Sequence, residues 1–380
     1  MKIFNFILLL IITNSICYSQ SSLEKDEVFN SYFELESNLK LPDNPKIGNI
    51  QQITYVNRDS LYIYTGKKKV YLFDVARNSL QELDISRLYP GLNNQPMLWV
   101  NALQNDQLYI SYGYTGLLLD RDHNIIKYFD GNPRSYSRKF VGLNSNTYSS
   151  VIDGDKFSRP NDPNFHVETI LLNGSTVKEV KRFAYDEYDN RMRFMQPKNR
   201  IINYGDSLIV IQSIHRPFAK GYDPISGKHL FTTTFTPSYY NGIDTTTSKS
   251  GPEGLQEKVS FVNRLEGKTV TRGLYRLNTD TFYMVHNIFS QENYKKGFRA
   301  FGIELYNTKG HRVLQEGEEI YIEEPVEGSY RSHSLNFIRP LFSSGDGYFL
   351  RCVPNNDTRK TENKFSSDGN PKIEIWKYND

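Results

Sequence analysis

One phrase recurs along this chain and limits what it can become. "DSLYIY" at residue 59, "DQLYIS" at 106, "DSLIVI" at 206, "DTFYMV" at 280 and "DGYFLR" at 346 each join an Asp turn to an alternating apolar strand. "NTYSSVI", starting at Asn146, is a degenerate sixth copy. Period-two alternation marks strands with one face packed on another layer. Repetition of such a unit marks an architecture in which each copy buries its faces against the next.

Each phrase sits inside a larger unit. An apolar stretch precedes it, as "IQQITYV" precedes Asp59 and "LWVNAL" precedes Asp106. After a variable loop comes a second hairpin: "YLFDVARNSLQEL" (71–83), "LLLDRDHNIIKYF" (117–129), "ILLNGSTVKEVKRF" (170–183), "GYDPISGKHLFTTTF" (221–235) and "IELYNTKGHRVLQE" (303–316). Asp, Asn or Gly stands where each turn demands unusual backbone angles. Six units of four strands predict an all-β chain folded as a six-bladed β-propeller. The last unit, "DGYFLRCV…KIEIWKYND", ends at Asp380 one strand short. Residues 31–43, "SYFELESNLKLPD", are predicted to supply that strand by pairing with Lys372–Tyr378. An open sheet edge invites aggregation, and closing the ring covers it. A β-sandwich or a pair of β-domains would alternate in the same way, and this alternative stays open.

Lys2, an apolar run from Ile3 to Ile12 and the small and polar residues after it have the layout of an export signal. The run is shorter than the roughly 20 apolar residues needed to span a bilayer. Cleavage after Ser19 fits Cys17 and Ser19 as the small residues at −3 and −1, leaving residues 20–380 as the mature chain. The rival is a lipoprotein signal acylated at Cys17, in which Ile16 stands where a small residue is usual. With the leader gone, Cys352 is a lone thiol, so the core must hold the fold without an internal disulfide. Lys2 is the one charge removed, so the net charge of +3 becomes +2, too near neutral for a nucleic-acid partner. No second apolar run offers a membrane anchor, and no Pro/Ser linker divides the chain, so one domain is expected.

The "D-S/Q-L-Y-I" hairpins, the "YLFD" and "LLLD" third strands and a leader ending in "YSQ" give the chain a likeness. It resembles the TolB-like six-bladed propellers that Bacteroidota export in large numbers, many of unknown function. The resemblance implies an envelope or surface location and no particular activity, since such folds host many functions. It also implies O-glycosylation at Asp-Ser/Thr, for which Ser60, Ser207 and Thr245 fit. Asp-Ser makes good hairpin turns in any case, which leaves Thr245, in a polar loop, as the better candidate.

The sequence lacks a sialidase box, a P-loop, HExxH and a Gly-Xaa-Ser-Xaa-Gly elbow. Asp120, Asp122 and Asn124 in "DRDHN" alternate like a calcium loop but lack its glycine and its distal glutamate. Neither a metal nor a cofactor is expected. His123, His229 and His311 fall in or beside third-to-fourth-strand turns and are expected to be solvated. His215 and His286 fall at the end of a second strand, where other units hold Tyr112, Arg351 and Cys352. In a propeller these places converge at one rim of the tunnel. They give an enzymatic alternative, a lyase or lactonase acting on a sugar acid with His215, His286 and Arg351. Matching carboxylates are missing from it.

Charge supplies the stronger pattern. The second-to-third-strand loops of a propeller share one face. Here they carry Lys67, Lys68, Lys69, Arg216, Lys220, Lys295, Lys296, Arg299, Arg359, Lys360, Lys364 and Lys372. After Glu292, Asp357, Glu362 and Asp368 are counted, these loops hold a net +8. Phe218, Phe289, Tyr294 and Phe298 are interleaved with them. Joined by Tyr112, His286 and Arg351 at the rim, this set predicts a site for an acidic glycan, lipopolysaccharide phosphates or an acidic envelope protein. A merely solvated loop face would carry the same lysines. The expectation is an exported, monomeric binding or scaffold protein. The polar insertion at 236–258 reads as an exposed loop.

Overall fold

Every copy of the phrase forms the second strand of a four-stranded antiparallel meander. The computed structural model describes residues 26–42, 47, 50–65, 69–85, 97–103, 106–112, 115–129, 140–153, 165–184, 201–213, 216–242, 267–290, 298–325, 341–353 and 372–379. The expected leader, Thr245 and most of the 236–258 insertion lie outside these residues.

A short helix, α1 (Glu27–Tyr32), leads into β1 (Phe33–Lys40). The first blade is β2 (Ile50–Asn57), β3 (Ser60–Thr65), β4 (Val70–Asp74) and β5 (Ser79–Leu83). The second is β6 (Met97–Ala102), β7 (Leu108–Tyr112), β8 (Thr115–Leu119) and β9 (Ile125–Phe129). The third is β10 (Phe140–Gly142), β11 (Thr147–Asp153), β12 (Phe165–Asn173) and β13 (Thr176–Ala184). The fourth is β14 (Ile201–Tyr204), β15 (Leu208–Gln212), β16 (Ala219–Tyr222) and β17 (His229–Thr232). The fifth is β18 (Thr269–Arg276), β19 (Thr281–Ile288), β20 (Phe298–Asn307) and β21 (Ile320–Pro325). The sixth is β22 (Leu341–Gly345), β23 (Tyr348–Val353) and β24 (Lys372–Tyr378), with β1 as its outer strand.

The core shows that these sheets form a ring and not two stacked layers. Side chains alternate along each second strand, so its two sets serve different neighbours. In β15, Ile209 and Ile211 pack with Val151 and Val167 of the third blade. Leu208 and Val210 pack with Leu274, Phe282 and Met284 of the fifth. The same division makes one apolar cluster between each successive pair of blades, including the sixth and the first. The sandwich alternative has no place for six such interfaces.

The predicted closure is present. β1 pairs antiparallel with β24 from Phe33 opposite Tyr378 to Lys40 opposite Lys372. An aromatic cluster fixes it: Phe29 stacks on Phe33 at 4.5 Å and meets Trp376 edge-on at 5.1 Å. Phe29, Phe33 and Trp376 are fully buried with Phe349, and burying each such side chain contributes roughly 1.5–3 kcal/mol. The helix that delivers Phe29 was not legible in the repeat. Asp26 starts it by accepting a hydrogen bond from the Phe29 amide at 2.7 Å.

One strand departs from expectation. The repeat predicts the fifth blade's fourth strand within 303–316, whereas the structure places it at Ile320–Pro325. The chain turns after Asn307, makes a single bridge between Tyr306 and Arg312, and then loops out. Arg312 is held inward by Glu304 at 2.9 Å and by the ring of Phe235 at 3.8 Å, and Leu314 is buried. Those contacts take residues 312–314 out of strand register.

Replacing Phe33 with Ala is expected to lower stability by about 3–5 kcal/mol. It should also speed hydrogen exchange across Lys372–Tyr378, while exposed Glu34→Ala changes stability by no more than about 0.5 kcal/mol. Exchange mass spectrometry with urea titration reads both outcomes.

Candidate functional site

The meander gives the ring two unlike faces. First-to-second and third-to-fourth turns lie on one; second-to-third loops and the links between blades lie on the other. On the first face the turns hold Asp59, Asp106, Asp206, Asp280 and Asp346, and Arg58 is the one cation among the described residues of these five turns. Asp346 and Gly347 take φ of 52° and 83°, as a tight hairpin with two positive φ values requires.

Toward the second face the buried side chains change character. The second strands are apolar for most of their length, then end in Thr65, Ser111, Gln212, His286 with Asn287, and Arg351, all buried. The Gln212 amide, Thr65 Oγ1, Ser111 Oγ and Asn287 Oδ1 have no hydrogen-bond partner among the described residues.

The predicted site residues separate into three groups. Lys67, Lys68, His215, Lys295, Lys296, Arg359 and Lys360 lie outside the described residues, as do Tyr294 and Lys364. Lys69, Arg216 and Lys220 are at the expected face. Lys69 is exposed and bonded to Glu82 at 2.7 Å, which raises its pKa. Arg216 is exposed and its carbonyl accepts a bond from Thr271 Oγ1 at 3.2 Å. Lys220 is half-buried on β16, opposite Ile211 and Thr232. Tyr112 closes β7 opposite Thr115.

His286, Arg299 and Arg351 form the third group, and they are buried between blades, not exposed at a rim. By strand alternation His286 follows Met284 toward the fourth blade, whereas Arg351 follows Phe349 toward the fifth. They therefore occupy different interfaces. Arg351 lies 3.6 Å from Glu374, both side chains only 4 % exposed, and burial draws its pKa down to about 10. Arg299 is close enough to act electrostatically on Arg351 and on Cys352. Burial pushes the Cys352 thiol up to about 12, which makes it unreactive at neutral pH.

His286 is enclosed. Its Nδ1 lies 3.0 Å from Thr271 Oγ1, and its ring meets those of Tyr239 and Tyr240 at 6.2 and 5.6 Å. Thr271 gives its hydroxyl hydrogen to the Arg216 carbonyl, so Nδ1–H donates to Thr271 and Nε2 keeps its lone pair. Burial lowers the His286 pKa to about 3, leaving a neutral ring unsuited to proton transfer at neutral pH. Tyr239 lies flat over Gly302, where an added Cβ would come within 2.2 Å of it. Burial also raises Glu304 to about 7, against the opposing pull of Arg312.

Two other expectations meet the structure. His123 is not simply solvated: it is half-buried, at φ 63°, and its Nε2 lies 3.0 Å from the Tyr62 hydroxyl of the first blade. In "DRDHN" both Asp120 carboxylate oxygens accept bonds from Asn124, at 2.7 and 3.1 Å, so the carboxylate builds the turn. Among the described residues no cluster of three or more His, Cys, Asp or Glu has metal-site spacing, and no helix is long and apolar enough to cross a membrane.

No family model matches the chain, and no curated protein matches it. Solved structures do. A protein of Bacteroides fragilis assigned to export aligns over 92 % of this chain and 96 % of its own, with TM-score 0.52 and 11 % identity. BamB of Moraxella catarrhalis aligns over 91 % and 99 %, with TM-score 0.41 and 10 % identity. At 11 % identity the likeness to the Bacteroides fragilis protein shows the fold and nothing of function.

Two buried groups give pH signatures of opposite sign. His286, neutral in the fold, contributes stability that is present above about pH 6.5 and lost as pH falls toward 3. Glu304, raised by burial, makes the fold less stable as pH rises from about 4.5 to 7. In urea titrations across pH 4–8, His286→Asn should remove the first slope and Glu304→Gln the second.

Proposed function

We propose that this is an exported, monomeric binding or scaffold propeller, a single domain over residues 20–380 behind a cleaved leader. It holds an anionic partner, an acidic glycan or an acidic envelope protein, on the face of its second-to-third loops. The observation that carries this reading is the segregation of charge. Aspartates mark the first-to-second turns of one face, while the second-to-third loops of the other, as the strands bound them, hold a net +5 on a chain of near-neutral total. A one-signed face raises the local concentration of an oppositely charged partner and speeds its capture. Arg216 and Lys220 stand at that face, while Arg299 is buried and Arg351 is paired with Glu374. Long loops on a rigid ring are the usual place for such contacts. The fold neighbour from Bacteroides fragilis is itself assigned to export, in keeping with an exported chain.

The enzymatic alternative finds no favourable observation among the described residues. His286 is sealed and neutral, and Arg351 faces a different blade interface.

Retention on immobilised polygalacturonate tests the reading. Wild-type protein should be retained at low salt and released as salt screens the charges. A Lys67→Glu, Lys68→Glu, Lys69→Glu variant should elute at distinctly lower salt, and Arg77→Glu on the opposite face should not. Equal elution of all three would contradict it.

A further inference from the structure

The seam where the ring closes contains a groove. It has a volume of about 320 Å³ and lies between the sixth and first blades, lined by residues of β1, β2, β3, β23 and β24 and of the turns beside them. That size falls within the range of small-molecule sites. Two irregularities border it. β1 shifts register against β24 between Leu35 and Ser37, leaving Glu36 without an opposite residue. β2 shifts against β3 between Tyr55 and Asn57. Bulges bend strands and re-aim side chains, and here both occur at one interface.

The lining has a defined chemistry. Leu61 and Leu350 form an apolar floor. The rings of Tyr55 and Tyr348 stand together as a wall, 6.5 Å apart and 28° from parallel. Arg58 is the one cation among the described lining residues and is committed outward, bonded to Glu36 at 2.9 Å with its side chain 69 % exposed. Asp59 remains at the edge, and Asp346 accepts the Tyr55 hydroxyl at 3.2 Å. Besides burial, the charges of Asp346 and Asp59 hold the Tyr55 phenol well above its usual pKa, which places that ring in a negative field.

Aromatic rings beside carboxylates, above an apolar floor, suit a cation with a hydrocarbon stem. We propose that the groove binds a guanidinium or ammonium group on a short aliphatic stem. The stem lies on Leu61 and Leu350, and the cationic head meets the two tyrosine rings and the Asp59 carboxylate. The site is on the face opposite the loops invoked for the anionic partner, and it does not depend on that reading.

Titration calorimetry with n-butylguanidinium chloride tests it on the full mature chain. The proposal requires saturable binding, at least fivefold weaker in 1 M NaCl and at least fivefold weaker in Asp59→Asn. n-Butanol, with the same stem and no charge, must fail to compete. Asp59 contributes its backbone to the turn and its side chain makes no hydrogen bond among the described residues, so the variant should fold; Glu36→Gln, which frees Arg58, is the second variant and should weaken binding too. Absence of saturable binding, or binding indifferent to salt and to both variants, overturns the proposal. An acetylated Gly-Arg-Gly amide identifies the source: binding as tight as the free probe points to a partner's arginine, and binding of the free probe alone points to a small cationic molecule.

Discussion

Everything in this molecule depends on a strand borrowed from the chain's beginning. Blades of a propeller are individually weak, because each buries its faces only against its neighbours. Opening one interface exposes two apolar surfaces and a sheet edge at once. Pairing β1 with β24 prevents that, and the Phe29–Phe33–Phe349–Trp376 aromatic group gives the pairing its energy. The same seam carries the two bulges and the groove, so the mechanical join of the ring and its candidate cation site are one region.

The ring sorts chemistry by height. Apolar clusters fill the interfaces over most of the blade, and polar side chains take over where the second strands end. Burying Gln212, His286, Asn287 and Arg351 is costly unless each group is compensated. These groups share the end of the ring at which the second strands finish. His286 is part of the packing there, wedged by two tyrosines and held neutral.

What the sequence made legible was local and periodic. The second strands were readable because turn and alternation lie within ten residues of each other. The closing strand was readable because the last unit was one strand short. What escaped it was decided by partners far along the chain. The fifth blade's outer strand is displaced because Arg312 is captured by Glu304 and Phe235. His123 is not free because its partner, Tyr62, belongs to another blade. α1 is only six residues long and makes no periodic pattern; its Asp26 cap was its one signal. The candidate basic face was legible as charge, but the burial of Arg299 and Arg351 was not, since alternation gives a side and not a depth.

The most direct test of the closure is a crosslink between exposed register partners. Glu34 and Lys377 face each other across β1 and β24, and antiparallel partners lie about 4.5–5.5 Å apart at Cα, within disulfide range. Oxidised Glu34→Cys/Lys377→Cys protein spanning residues 20–380, in which buried Cys352 is the sole other thiol, should form an intramolecular disulfide in nearly every molecule and melt at a higher temperature than its reduced form. Free thiols, or disulfides found only between molecules, would show that the chain's beginning does not complete its last blade.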